Sequence, residues 1–185
     1  TTNSLLLLSN QILEYSKAEN HALELKYRDF DLKTEIEQIV ASMASLVESH
    51  GNSIVFTSNL KADEKVCSDV AKIHQLFYNI IGNANKFTQN GLISIDVEQQ
   101  HLSDYEINLN VNIADNGMGI SEHDLNHIFE SYYQGTAPEK TTDPGVGLGL
   151  NLCKEIITLF DGSIEVESEI NKGTRVTFNL IISKA

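Results

Sequence analysis

The chain is poor in positive charge, poor in cysteine and without any long apolar run. Of its 185 residues only 13 are Lys or Arg, against 26 Asp or Glu, for a formal net charge of −13. That balance excludes the basic face of a nucleic-acid-binding protein and works against simple adhesion to an anionic membrane. It also sets a condition. An acidic protein that holds a polyphosphate needs a metal ion, a lysine or helix-start N–H groups at that spot. The two cysteines, Cys67 and Cys153, lie far apart and match no metal-ligand spacing, so they read as buried free thiols in a reducing compartment. No signal peptide is visible, and the longest apolar run, Leu5 to Leu8, falls far below the roughly 18 residues that cross a bilayer. What is there is an ordinary globular composition, 41% hydrophobic and 21% charged, enough for one compact domain plus an appendage.

Leu5, Leu8, Ile12 and Tyr15 recur every three or four residues and predict a helix over 4–21. Its single narrow seam suits half of a helical bundle. Leu23, Leu25 and Tyr27 then alternate with polar residues, as a strand or extended linker does. Asp31 is placed to cap a helix whose stripe, Leu32, Ile36, Ile39, Met43 and Leu46, ends at Gly51. A strand over 53–60 and a helix from an Asp69 cap to Phe87 follow, then an Asn90-Gly91 turn and strands over 92–97 and 107–113. Ser121 with Asp124 opens a helix through Phe129. Residues 131–144, small and polar without periodicity, read as a mobile loop. A helix from Gly147 to Phe160 stops at Gly162, and a closing hairpin carries Ile164, Val166, Val176, Phe178 and Leu180 around a turn at 171–173. This order predicts an α+β fold, a two-layer α/β sandwich with helices on one face of a mixed, largely antiparallel sheet. The main domain spans residues 29–185.

Three segments carry chemistry. Asn79, Asn83 and Lys86 stand at i, i+4 and i+7 on one face of their helix. They make either a solvated polar face or a carboxamide for a hard cation with an ammonium for phosphate. Asp115-Asn116-Gly117-Met118-Gly119 follows a strand; it is either a turn or a carboxylate for an exocyclic amine, beside glycines that admit a flat ligand closely. Gly145-Val146-Gly147-Leu148-Gly149-Leu150 opens a helix and exposes N–H groups to an anion. A loop rather than a strand precedes it, so it does not follow the dinucleotide-binding βαβ plan.

Order and spacing add what each segment lacks alone. Asn79 to Thr88 resembles the asparagine box of sensor histidine kinases, Asp115 to Ile120 their first glycine box, and Ile128 to Gln134 their phenylalanine box. Gly145 to Leu150 resembles their second glycine box, and Lys172-Gly173-Thr174 a short motif of the closing hairpin. Residues 4–28 resemble the end of the second dimerisation helix and its linker. The resemblance implies the Bergerat ATP-binding fold and a protein-histidine kinase acting with ATP and Mg²⁺. Carried over, Asp115 meets the adenine amine, with Gly117, Gly119 and Ile120 beside the base. Asn83 binds Mg²⁺ with Asn79 in support, and Lys86 meets phosphate. Gly145, Val146, Gly147, Leu148 and Gly149 bring N–H groups to the phosphates, Phe129 and Tyr132 pack the lid 131–144, and Thr174 lines the pocket. Asn83 and Lys86 are the catalytic candidates.

Asn79 occupies the position of the water-activating glutamate of the related ATPases, which favours a kinase over a hydrolase. Val146 stands where many kinases carry threonine, Gln134 where many carry a basic residue, and Tyr132 replaces a common phenylalanine. The phosphorylated histidine is missing. His21, His50, His74 and His101 lack its sequence context, and His123-Asp124 lies between two nucleotide boxes without the downstream proline. The resemblance therefore implies partners: a dimerisation helix supplied by the parent kinase and a response-regulator receiver domain. The parent protein is expected to be a dimer anchored in a membrane, with this chain a cytoplasmic piece and a monomer when isolated. A degenerate nucleotide-binding interaction module and a Bergerat-fold ATPase are the alternatives.

Overall fold

Asp31 and Asp69 each open a helix from extended backbone. The Asp31 carboxylate accepts from Thr34 N at 2.7 Å and Asp69 Oδ1 from Lys72 N at 3.1 Å, each satisfying a first-turn donor that the helix itself leaves bare. A computed structural model describes residues 23–133 and 147–185. The helix expected over 4–21 lies outside them, as do Gln134, Gly145, Val146 and most of the expected loop. The described elements are β1 (Arg28–Asp31), α1 (Leu32–Ser49), β2 (Ser53–Ser58), β3 (Lys65–Ser68), α2 (Val70–Phe87), β4 (Leu92–His101), β5 (Glu106–Asp115), α3 (Glu122–Leu125), α4 (Gly149–Leu159), β6 (Ile164–Glu169) and β7 (Gly173–Lys184).

The sheet runs β1-β3-β7-β5-β4-β2, with β6 also paired to β7. Among the described strands β2–β4 is the one parallel pair and the rest are antiparallel, the mixed sheet expected. Alternation decides its two faces. Ile93, Ile95 and Val97 on β4, Ile107 to Ile113 on β5, and Val176 to Ile182 on β7 turn inward every second residue. They meet Ile36, Ile39 and Met43 of α1, Ile73, Phe77 and Ile80 of α2, and Leu152 and Ile156 of α4 in one core. The ring of Phe77 stands edge-on to Phe178, with centroids 6.0 Å apart, and joins α2 to β7. The other face is polar: Asn179 donates to Asn108 and Asn108 to Asn110 along it.

Several local expectations shift. Two short strands, β1 at the sheet edge and β3 beside it, pair with one another where no strand signal is readable beyond Tyr27. Leu46 is 45% exposed, and Val40 and Val47 complete the α1 stripe instead. The helix expected through Phe129 ends at Leu125. Asn126 Nδ2 takes the Glu122 carbonyl that the next helical N–H would use, and the chain continues in i→i−3 turns. The incoming segment packs down on the domain: Leu23 and Leu25 lie against the core, and Lys26 N donates to Asp69 Oδ2 at 2.8 Å.

Candidate functional site

The C-terminal half of α2, the end of β5, the β6–β7 turn and the start of α4 converge on one cleft. Asp115 terminates β5, where the antiparallel ladder to β7 holds it beside Thr174. Its Oδ1 accepts from Gly117 N at 2.8 Å and from Thr174 N at 3.3 Å, leaving Oδ2 without a backbone donor. Burial pushes the Asp115 carboxyl above its ordinary value, outweighing the two N–H bonds and the nearby Thr88 hydroxyl, which pull it down.

The glycines after Asp115 are demanded by close backbone approach. A Cβ on Gly117 would stand 2.3 Å from Phe87 O, and one on Gly119, at φ +70°, would stand 2.0 Å from Glu169 O. Met118 N donates to Phe87 O, Asn171 N to Met118 O, and Ile120 N to Ser168 Oγ. This first glycine loop is thus stitched to the end of α2 on one side and to the β6–β7 turn on the other.

On α2 the face bearing Asn79, Asn83 and Lys86 turns toward α4 rather than out to solvent. Asn79 Nδ2 is sealed from solvent without a hydrogen-bond partner; the sulfur of Cys153 beside it is too weak an acceptor to satisfy it. Burial pushes that thiol up to about 12. Asn83 makes no side-chain hydrogen bond among the described residues, and Lys86 lies over the Phe87 ring at 5.3 Å with no carboxylate partner among those residues. In so acidic a chain, an ammonium left without a carboxylate is a ready counter-charge for phosphate.

The start of α4 completes the cleft. Leu148 occupies the N-cap and offers no side-chain acceptor, so the N–H groups of the first turn stay uncapped. A Cβ on Gly149 would find nothing nearer than Asn79 Cγ at 4.0 Å, which marks open space between α2 and α4. Gly147, at φ +74°, sits so near the tyrosines before the loop that a Cβ would meet Tyr133 O at 2.6 Å, and its carbonyl accepts from Tyr132 N. Phe129 O accepts from Asn151 Nδ2, and Lys154 lies over the Phe129 ring, so the phenylalanine is fastened to α4. Tyr132 itself is 60% exposed.

The cleft thus gathers Asn79, Asn83, Lys86, Asp115, Gly117, Gly119, Ile120, Gly147, Leu148, Gly149 and Thr174. Its chemistry suits a nucleotide. Uncapped N–H groups and a lysine are donors suited to phosphate, and the Asp115 carboxylate is an acceptor suited to an amine. No group of three or more His, Cys, Asp or Glu among the described residues could cage a metal. Mg²⁺ does not need one, since it binds largely through substrate phosphates and water; the unengaged Asn83 carboxamide fits such an ion as a single oxygen ligand.

Three residues of the cleft escaped sequence reasoning. Gly82 shares the face of Asn79, Asn83 and Lys86, and a Cβ there would meet nothing within 4 Å; a glycine in mid-helix was its signal. Thr88 is 3% exposed with its hydroxyl beside the Asp115 carboxyl, and only its place after the asparagine box hinted at it. Ser168 fastens the first glycine loop from inside an alternating strand and gave no signal.

Comparison with known proteins agrees with this geometry. The family profile described as "Histidine kinase-, DNA gyrase B-, and HSP90-like ATPase" matches residues 68–183. The signal transduction histidine-protein kinase BarA of Escherichia coli (strain K12) is 33% identical over 182 residues, which are 97% of this chain and 20% of BarA. The hybrid signal transduction histidine kinase L of Dictyostelium discoideum is 34% identical over the whole chain, which spans 11% of that protein. Among solved structures, the catalytic domain of histidine kinase ThkA superposes with a TM-score of 0.67 at 25% identity, over 84% of this chain and 95% of that one. Full-length ShkA in complex with AMPPNP reaches 0.76 at 24% identity over 98% of this chain and 36% of that one, a likeness of fold. The chain belongs to the histidine kinase-, DNA gyrase B- and HSP90-like ATPase family.

Proposed function

We propose that this chain is the ATP-binding catalytic domain of a two-component sensor histidine kinase, and that it presents the γ-phosphate of ATP to a histidine on a dimerisation helix. The observation that carries the proposal is the Asp115 carboxylate, held through Oδ1 by two backbone N–H groups while Oδ2 takes none. It stands in the same cleft as a lysine without an acidic partner and an uncapped helix start. Asp115 accepts from the exocyclic amine of adenine, and Gly117 and Gly119 let the backbone pass close to the base. Lys86 and the N–H groups around Gly147, Leu148 and Gly149 hold the phosphates. Asn83 would hold Mg²⁺ through its one side-chain oxygen, and the ion would supply neutralisation of phosphate charge there. Asn79, with a buried N–H pair lacking an acceptor, supports the phosphate or metal side.

Positioning and charge neutralisation then suffice for the transfer. A neutral imidazole nitrogen of the acceptor forms the new N–P bond as the bond to the ADP oxygen breaks, and the imidazolium proton goes to solvent. The nucleophile arrives with the acceptor, so this domain needs none. No carboxylate stands at position 79 to activate water, which favours transfer over hydrolysis. BarA, by its name a signal transduction histidine-protein kinase, supports the kinase reading over a bare ATPase or an interaction module. A response-regulator receiver domain and a dimeric, membrane-anchored parent belong to the same proposal. No described helix is long and apolar enough to cross a membrane.

Two steps test it. ATP and ADP, with and without Mg²⁺, are titrated calorimetrically into the chain, and γ-labelled ATP is then offered together with a supplied acceptor helix. Micromolar-range binding and a labelled histidine are expected. Absence of nucleotide binding by the wild-type chain would sink the proposal; binding without transfer would leave a nucleotide-gated interaction module.

A further inference from the structure

Ser168 is the penultimate residue of β6, half-buried and outside every motif of the sequence. Three hydrogen bonds meet at its hydroxyl. Ile120 N donates to Oγ at 2.8 Å, Oγ donates to Gly173 O at 2.8 Å, and Thr174 Oγ1 lies 2.9 Å away. A hydroxyl owns one proton and two lone pairs. The Gly173 carbonyl can only accept, so it takes the serine proton. The Ile120 N–H can only donate, so it takes one lone pair. The contact with Thr174 is therefore made with the threonine's own proton. Thr174 Oγ1 then faces any other group as an acceptor alone. The Thr174 N–H is already directed at Asp115 Oδ1, so hydroxyl and carboxylate stand at the same end of the cleft.

We propose that Ser168 is a positioning residue that, by consuming the hydroxyl proton of Thr174, leaves the base end of the cleft with acceptors only and so selects a 6-amino over a 6-oxo purine. The proposal rests on the nucleotide reading above and adds to it the residue that sets base choice. An exocyclic amine brings two N–H protons to the two acceptors. In the same register a 6-oxo purine turns a carbonyl oxygen on both; its N1–H stands one ring position away, so the lone pairs at position 6 face each other without a proton between them.

The test is calorimetric titration of ADP and of IDP, its 6-oxo counterpart, into the wild-type chain, Ser168→Ala, Thr174→Val and the double variant. The wild type is expected to prefer ADP. In Ser168→Ala the threonine proton is free to turn toward a 6-oxo group, and the ADP-to-IDP preference narrows about tenfold, the reach of one neutral hydrogen bond. With Thr174→Val already in place, Ser168→Ala leaves the preference unchanged, because no hydroxyl remains to orient. Thr174→Val alone gives an independent reading should Ser168→Ala melt early. Loss of an acceptor-only hydroxyl raises IDP affinity, whereas loss of a freely turning one lowers it. Equal weakening of both nucleotides in Ser168→Ala, or lowered IDP affinity in Thr174→Val, overturns the proposal and leaves the nucleotide site standing. Binding of neither nucleotide by the wild type overturns both.

Discussion

Replacing Asp115 with Asn should move stability and ligand affinity in opposite directions, because the carboxylate is held for the ligand at the expense of the empty fold. Asn keeps the shape and can keep the Oδ1 contacts with Gly117 N and Thr174 N, 2.8 and 3.3 Å long. It exchanges Oδ2 for an NH₂ group. A base amine that met a charged acceptor now meets a donor. The charge-assisted bond lost is worth about 1.5–3 kcal/mol, so nucleotide affinity should fall about ten- to a hundredfold. The unliganded domain responds the other way. Burial raises the Asp115 pKa in the fold, so this group favours the folded state below its unfolded pKa, and that contribution is lost as pH rises through the folded value. At pH 7 the ionised group is a burden to the empty protein, and Asp115→Asn should melt no lower than wild type, with a smaller gain on acidification. Calorimetry for affinity and thermal melting on stepwise acidification from neutral pH read both arms. A variant that melts clearly lower yet keeps its affinity for ATP would refute the reasoning, since Asp115 would then be a structural carboxylate.

Three further outcomes follow from the same geometry. Gly82→Ala fills open space on the ligand face of α2, so chemical denaturation should show a gain of about 0.5–1 kcal/mol while ATP titration shows weakened binding. Acidification should weaken nucleotide binding as Asp115 takes up its proton, at a pH above the ordinary carboxylate range because burial raises it; titrating ADP at stepwise lower pH reads it, and Asp115→Asn should flatten the curve. In the native protein a thiol reagent at mildly alkaline pH should find Cys67, half-exposed and slowed by its bond to Asp29, and leave Cys153, whose buried thiol is held near 12, until the chain unfolds.

Elements that bury a broad stripe were legible from the chain alone. The α1 and α2 caps and the inward alternation of β4, β5 and β7 stand where periodicity put them, because burial is what periodicity records. The short strands β1 and β3 were not. Each has four residues, and Phe30 is the one fully buried residue of β1, so neither leaves an alternation long enough to read. The end of α3 depends on one side chain, Asn126, competing for a carbonyl, which no stripe reports. The site divides the same way. Asp115, Asn83 and Lys86 were visible because charged or carboxamide groups at fixed spacing stand out. Gly82 acts by an absent side chain, Thr88 by a buried hydroxyl and Ser168 by a proton count across three segments, and each needs the fold before it has a meaning.

The hydrogen bond from Tyr132 N to Gly147 O, with Gly147 pressed against Tyr133, means that the segment between them begins and ends at one point. Its two ends are brought together by contacts of their own, independent of how much chain lies between. Closing a longer loop onto a fixed base is entropically mild, about 0.6 kcal/mol for a doubling of length. Insertions and deletions there should be absorbed without prising Leu148 and the first turn of α4 from their place. Length and composition of that stretch are thereby left free to vary, while the backbone contact between positions 132 and 147 at its base is the part that holds α4 in place.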